Sequence, residues 1–557
     1  MKNSALFKVC IVVLIIFLGG SESGADISAP ILKWQHGGCY SSWCETGWYS
    51  SPAVADLDGD GNIEVIGAAY SIFVINGVDG SLKWSVNPDG SRVWPGVVVA
   101  DLDENGDLEI VTAHGDGYVH VFDHEGGTVW SRQPVTHEMR SLSVSDLDGD
   151  GDMEIVVGSA RGGNYDNIYV YEHNADLRPG WPQLSSGCCA YGIYNDNLAI
   201  ADIDGDGKGE IVAPSDVHYI CAFNDDGTRI QSNSQYGDKK WGEVGVWVDL
   251  EAELRGWGYC GTEHRPNFCH CPAAISDVNG DTIPEVVVVG NIHNCGTSPY
   301  TNLYHGPYIF NPDRSRFVAN GFDWETVPID VGAPICESYS IIESCMPNPV
   351  VVDLDRNGFK EILFASNDGK VHCFWLDKTE HHNWPYSVYN PAEGIYRFAS
   401  EPVVADLDNN GYPEVIFASW VQKGSSKTGK VHILDYQGNP LHEVALPPAF
   451  GSPDWNGALP APTLADIDGD PDLELVLNTA HSGLVAYDLP NTADARILWG
   501  TGRGSYQRTG SFAIEPCAGD FDKDGDIDGN DLASFVAGGT GISLEIFSTN
   551  FGMSNCP

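Results

Sequence analysis

Basic residues are scarce in this chain: 29 Lys and Arg stand against 78 Asp and Glu, a formal charge of −49. So negative a molecule excludes nucleic acid and anionic lipid as partners, because its own field repels both. Long apolar runs are missing after the N-terminus, which excludes a membrane span in the body of the chain. HExxH, GxSxG, CxxCH and RGD are all absent, so the familiar signatures of zinc proteases, serine hydrolases, c-type haem and integrin ligands are not available. Helical periodicity is lacking as well. Disorder is excluded in turn, since 11% aromatics and recurrent Val/Ile runs supply a core. The surplus carboxylates therefore call for bound cations.

The N-terminus, "MKNSALFKVCIVVLIIFLGGSESGA", places Lys2 and Lys8 around the start of an apolar run that ends in small residues. It reads as a signal peptide over 1–25, which implies a secreted, extracellular or cell-surface protein with no span after cleavage. Beyond Cys10 there are 14 cysteines. Cys221 and Cys373 fall inside predicted strands as buried thiols. The other 12 lie in loops or beside the C-terminal segment, where an exported chain favours disulfides.

What the chain has in abundance is one motif, D-x-[DN]-x-[DN]-x-x-x-E, flanked by apolar residues. Its eight copies are Asp56, Asp58, Asp60, Glu64; Asp101, Asp103, Asn105, Glu109; Asp146, Asp148, Asp150, Glu154; Asp202, Asp204, Asp206, Glu210; Asp277, Asn279, Asp281, Glu285; Asp353, Asp355, Asn357, Glu361; Asp406, Asp408, Asn410, Glu414; and Asp466, Asp468, Asp470, Glu474. They start 45 to 76 residues apart, a spacing that means a solenoid or a propeller. The second copy shows the unit: "GVVVA", "IVTAH", "GYVHVFD" and "TVWSR" are four strands joined by turns. Four antiparallel strands per repeat make a propeller blade. In each loop, positions 1, 3 and 5 offer side-chain oxygens, position 7 a carbonyl and position 9 a closing carboxylate, which suits Ca²⁺. Position 6 is Gly wherever the chain must reverse at positive φ, except for Thr282 and Pro471.

These loops and blades resemble the FG-GAP (VCBS-type) repeats of the integrin α-subunit N-terminal propeller, from about Leu32 to Phe512. The resemblance implies an all-β, calcium-loaded propeller over 31–512, of eight blades, with seven as the alternative. "ILKW" at 31–34 matches the fourth-strand "SLKW" at 81–84, as does "RILWG" at 496–500, so the chain ends are expected to meet in one blade.

The character changes at "CAGDFDKDGDIDGNDLASFVAGG". Asp520, Asp522, Asp524, Asp526, Asp528 and Asp531 occupy positions 1, 3, 5, 7, 9 and 12 of an EF-hand loop, with Gly525 at position 6. This segment, 517–557, resembles a dockerin type I calcium repeat, which implies docking to a cohesin-like partner. The second loop of such a module is absent. A calcium-stabilised tail stapled by Cys517 and Cys556 is the alternative.

Strand alternation puts the carboxylate loops on one face and the long insertions on the other. Trp43, Trp48, Tyr191, Tyr194, Trp257, Tyr259 and Trp455 lie in those insertions with ten cysteines, so a ligand is expected there. Cys260, His264, Cys269, His270, Cys271, His293 and Cys295 have zinc-ligand chemistry, with disulfides as the competing reading. Two functional classes follow. One is a non-catalytic adhesion or binding protein for an extracellular glycan or protein. The other is a carbohydrate-active enzyme such as a polysaccharide lyase, for which His264, Arg265 and His305 are the candidate base and charge-neutralising groups.

Overall fold

The structure is a computed structural model that describes residues 27–37, 49–160, 166–184, 192–196, 198–215, 217–259, 261–293, 303–329, 334–451, 454–493 and 495–511, with Leu532 and Phe535. The signal segment 1–25 and the six Asp ligands expected between 520 and 531 lie outside the described residues, as do Trp43, Trp48 and Tyr191.

Eight small antiparallel sheets form the ring. Blade 1 is Ala53–Ala55, Glu64–Ala68, Ile72–Asn76 and Leu82–Val86. Blade 2 is Val98–Ala100, Glu109–Ala113, Val119–Phe122 and Thr128–Arg132. The innermost strands of blades 3 to 8 are Met139–Ser145, Ala199–Ala201, Ala273–Ser276, Val350–Val352, Val403–Asp406 and Thr463–Ala465. The first two strands of each blade flank a carboxylate loop, and their Val, Ile and Ala side chains are buried on both faces. Such strands read as continuous apolar runs, because each sheet is covered by its neighbours.

Blade 8 is completed from the other end of the chain. Ile31–His36 pairs antiparallel with Leu484–Leu489, with Trp34 opposite Ala486 and His36 opposite Leu484. The expected closure is present, and it makes eight blades. The second fourth-strand candidate behaves differently. Arg496–Trp499 pairs with Val403–Asp406, the innermost strand of blade 7. That strand already has a partner on its other side, so the only edge left to the segment faces the central axis.

From there the chain fills the axis. Leu464 N–H donates to Gly500 O (2.8 Å), Val144 to Gln507 O (2.9 Å), Ile200 to Thr509 O (2.8 Å) and Ile275 to Gly510 O (2.9 Å). The Arg508 guanidinium donates to the carbonyls of Ser51, Pro52, Val97 and Gly502 and to Thr501 Oγ1, at 2.8–3.1 Å. Arg503 donates to the carbonyls of Leu198 and Ala273. Residues 496–511 are a plug that satisfies inner-strand groups which would otherwise line a channel unpaired.

Neighbouring blades are also latched at the rim. Trp34, Trp84, Trp130, Trp181, Trp241, Trp324 and Trp384 each donate their indole N–H to a carbonyl in the third-strand turn of the next blade, at 2.6–3.1 Å. The acceptors are Gly77, His124, His173, Asp225, Pro312, Leu376 and Tyr436. Gly80 leaves room for the first of these rings: a Cβ there would stand 2.9 Å from the Trp34 indole. Blade 7 has no such Trp in Pro440–Ala445. Its junction with blade 8 is instead spanned by a shared apolar cluster from Val403 to Leu489.

Two outcomes check this architecture. Deleting 31–36 should cost at least about 3 kcal/mol, since it opens the ring and removes the packing of Trp34; a truncated chain melting like the parent would refute closure. Burial opposes charging of His372, but the hydrogen bonds it donates to Asp368 and Glu380 win and raise its pKa to about 9. A raised folded-state value stabilises fully below the unfolded value near 6.5 and is lost as pH rises through 9. Comparing His372→Gln with the parent from pH 6 to 10 should show the difference in melting temperature shrinking towards alkaline pH.

Candidate cation loops and the opposite face

All eight loops are built by one set of hydrogen bonds. The position-9 Glu accepts the backbone N–H of position 2 in every copy, from Leu57 to Glu64 through Ile467 to Glu474, at 2.7–3.0 Å. The position-1 Asp accepts the position-6 N–H in seven, as in Gly61 to Asp56 (3.0 Å) and Gly358 to Asp353 (2.8 Å). The eighth loop lacks that donor because Pro471 stands there. Asp466 accepts from Gly469 and Asp468 instead.

One signal escaped the motif. Position 4 also takes positive φ in every loop, and it is Gly59, Glu104, Gly149, Gly205, Gly280, Arg356, Asn409 and Gly469. The mixed residue types concealed it. Thr282 adopts the position-6 conformation at φ 73°, an uncomfortable place for a β-branched side chain.

The carboxylates converge. Oxygens of Asp56, Asp58 and Glu64 lie within 4.8 Å of one another, as do those of Asp101, Asp103 and Glu109, of Asp146, Asp148 and Glu154, and of Asp202, Asp204 and Asp206. Burial, reinforced by the adjacent Asp charges, pushes Glu361 up to about 9 and Glu285 and Glu414 up to about 8. In blade 6, Asp355 Oδ1 and Glu361 Oε1 are buried without a hydrogen-bond partner, as is Asp148 Oδ1 in blade 3. Hard oxygens left over at positions 3 and 9 fit a divalent cation.

Three loops carry a basic side chain as well. Lys83 Nζ donates to Asp58 (2.9 Å) and Glu64 (2.7 Å), and Lys33 donates to Asp468 and to Glu474 (2.9 Å). These are the lysines of "SLKW" and "ILKW", at the same place in blades 1 and 8. Arg178 reaches Asp148 (2.8 Å), Glu172 (3.1 Å) and Asp225 (3.2 Å) in the same way.

On the opposite face, Trp257 and Tyr259 are 48% and 55% exposed and meet edge to face at 4.7 Å. Arg255 lies over both rings at 4.7 and 5.0 Å. Tyr194 sits 5.4 Å from His270 and 5.7 Å from Arg140, which itself stacks on Trp94 at 3.9 Å. Trp455 departs from the expectation of an exposed ligand residue. It is only 6% exposed, packed against Trp420 and His481, because the loop carrying it folds onto blade 7. Cys221 and Cys373 are buried in strands as expected. Cys336 and Cys345 are thiols rather than disulfides, and Cys345 Sγ donates to Asn367 Oδ1 (2.7 Å). Of the three candidate lyase groups, His264 and Arg265 are half-buried, and His305 is withdrawn from solvent. His305 is 3% exposed, bonded to Ser366 Oγ (2.9 Å), and burial lowers its pKa to about 3.

Ring, blades and repeated acidic loops define an eight-bladed β-propeller. The family description "FG-GAP-like repeat" matches residues 101–157, 146–213 and 353–417. No curated protein matches the chain. Among solved structures it is similar to Saccharomyces cerevisiae Sqt1 (13% identity, 84% of this chain and 100% of that one, TM-score 0.48). It is also similar to the Bacillus licheniformis rhamnogalacturonan lyase PL11 (16%, 84% and 76%, TM-score 0.45) and to Moraxella catarrhalis BamB (14%, 79% and 100%, TM-score 0.42). Likeness at this level assigns no activity to this chain.

Replacing Thr282 by Gly should stabilise the protein by about 1 kcal/mol, since it removes a side chain from the left-handed region. Calorimetric unfolding of the variant reads this directly; a loss of stability would mean that Thr282 packs usefully there.

Proposed function

We propose that this chain is an exported, calcium-stabilised binding protein that presents its insertion face to an extracellular glycan or protein. The observation that carries the binding reading is the exposed Trp257–Tyr259 pair under Arg255. Two aromatic faces and a guanidinium suit the apolar face of a sugar ring and a neighbouring acidic or hydroxyl group. The plug directs recognition to the loops, because residues 496–511 fill the axis. Burial of His305, the candidate that is withdrawn from solvent, favours binding over lyase chemistry.

Calcium in this reading is structural. It would be held by the side chains at positions 1, 3, 5 and 9 of each loop, and it would supply the charge that offsets the clustered carboxylates. The loops of blades 2 and 4 to 7, whose motif carboxylates make no ion pair with Lys or Arg among the described residues, are its strongest places. In blades 1, 3 and 8 the basic side chain competes for the same oxygens. The segment 517–557 is proposed as a further calcium-binding appendage, with a cohesin-like protein as its partner.

Chelation by EDTA should lower the melting temperature by more than about 10 °C, since each filled site adds RT ln(1 + [L]/Kd). An unchanged melting curve would count against structural calcium. For the binding face, a glycan array that includes acidic polysaccharides is the test. Trp257→Ala should weaken the selected ligand roughly tenfold, about 1.4 kcal/mol, without shifting the melting temperature by more than a few degrees. Release of unsaturated product, seen as new ultraviolet absorbance, would instead establish the lyase class.

A further inference from the structure

The connection between blades 1 and 2 brings Asp89 against two histidines of blade 2. His114 Nδ1 lies 3.0 Å from Asp89 Oδ2, and His120 Nε2 lies 3.1 Å from the same oxygen. The three ligand atoms fall within 4.8 Å of one another. His114 is fully buried and His120 is 5% exposed, while Asp89 retains some access to solvent.

The remote ring nitrogens are held too. His120 Nδ1 is 2.7 Å from Ser131 Oγ, and His114 Nε2 is 2.9 Å from Thr112 Oγ1. Outer partners of this kind orient imidazoles so that their other nitrogens meet at a metal. Tyr118 stacks on His120 at 5.2 Å and limits its rotation. Ions bound by His and Asp at about 2.0–2.2 Å hold their ligand atoms roughly 3 Å apart, which is the separation of each imidazole nitrogen from Asp89 Oδ2.

Comparison with other blades isolates what is unusual. A third-strand histidine recurs as His372 in Lys370–Phe374 and His432 in Lys430–Leu434. Their ion pairs are to carboxylates, Asp368 and Glu380 for His372 and Glu443 for His432, and His432 Nε2 also lies 3.2 Å from Ser419 Oγ. Their stacking on Phe364 and Phe417 marks this strand position as a packing site. The blade 2 site brings two imidazole nitrogens to one carboxylate oxygen, and that carboxylate comes from the connection between blades.

We propose that Asp89, His114 and His120 form a binding site for a transition-metal dication of the zinc class, separate from the oxygen-only loops and on the face opposite to them. Two imidazoles and one carboxylate select a borderline ion over calcium, which prefers oxygen throughout. The bound ion would pin the 87–97 connection, which carries Arg92 and Trp94 to the insertion face. Arg92 lies over Trp94 at 4.8 Å, so the site's use is to position that part of the face.

The test uses the purified full chain saturated with calcium, so that the acidic loops are occupied before zinc is added. Calorimetric titration should find one zinc site with a Kd of micromolar or below. Asp89→Asn and His120→Gln should each weaken it at least tenfold, whereas His432→Gln should leave it unchanged. X-ray absorption of the zinc-loaded parent should show nitrogen and oxygen neighbours at about 2.0–2.1 Å and no sulfur. This second measurement stands even if a variant fails to fold. Absence of a zinc site, unchanged affinity in both folded variants, or a sulfur shell at about 2.3 Å from the Cys260–Cys295 region would each overturn the proposal.

Discussion

A ring of blades has no covalent closure, so everything else depends on the pairing between its two ends. Here that pairing is the antiparallel ladder between Ile31–His36 and Leu484–Leu489. It converts a linear array, in which each blade touches only its neighbours, into a cycle with no terminal face to protect. The indole latches work because the cycle holds the blades in register. Each ties a Trp on the outer side of one blade, in a strand for Trp34, Trp84 and Trp130, to the next blade's turn, contributing roughly 0.5–1.5 kcal/mol beyond its packing. Trp34 sits on the closing strand itself, so closure and latch are completed by one residue. The plug is the axial counterpart, joining the inner strands through backbone bonds and two buried arginines.

The carboxylate loops sit at the rim where the first strand of each blade turns into the second. Their geometry is set by backbone donors: the position-2 N–H holds Glu, and the position-6 N–H holds the first Asp. That leaves specific oxygens, such as Glu361 Oε1 and Asp355 Oδ1, without protein partners. The backbone N–H groups occupy both oxygens of the first Asp in most loops and one oxygen of the closing Glu, which leaves the Glu's other oxygen facing the remaining carboxylates. Like charges are thereby concentrated rather than dispersed. Lys33, Lys83 and Arg178 answer the same electrostatic demand from within the chain, at three of the eight positions.

The opposite face follows different rules. Its connections are long, irregular and rich in aromatics, and they are anchored by side-chain contacts rather than ladders. Arg140 on Trp94 and the Asp89–His114–His120 cluster join residues from separate loops or blades, whereas Arg255, Trp257 and Tyr259 meet within one short segment. A rigid ring supplies the fixed frame on which such contacts become reproducible.

Much of this was legible in the residues alone. The eightfold D-x-[DN]-x-[DN]-x-x-x-E repeat, with apolar runs on both sides, determines strand, loop and strand because periodicity and turn chemistry are local. The match of "ILKW" to "SLKW" foretold closure for the same reason: equivalent strands carry equivalent residues. "RILWG" has the same local character, yet it became an axial strand, since the place at the edge of blade 8 was already taken by Ile31–His36. Trp455 likewise reads as a loop aromatic and is buried, because exposure depends on what folds over a residue. Asp89, His114 and His120 carry no spacing that links them, and two adjacent blade elements had to be set side by side before they met. Local pattern determined the blades and their acidic loops. The order in which the blades pack decided the plug, the latches and which side chains from distant segments share a site, because those contacts join residues that only the closed ring brings together.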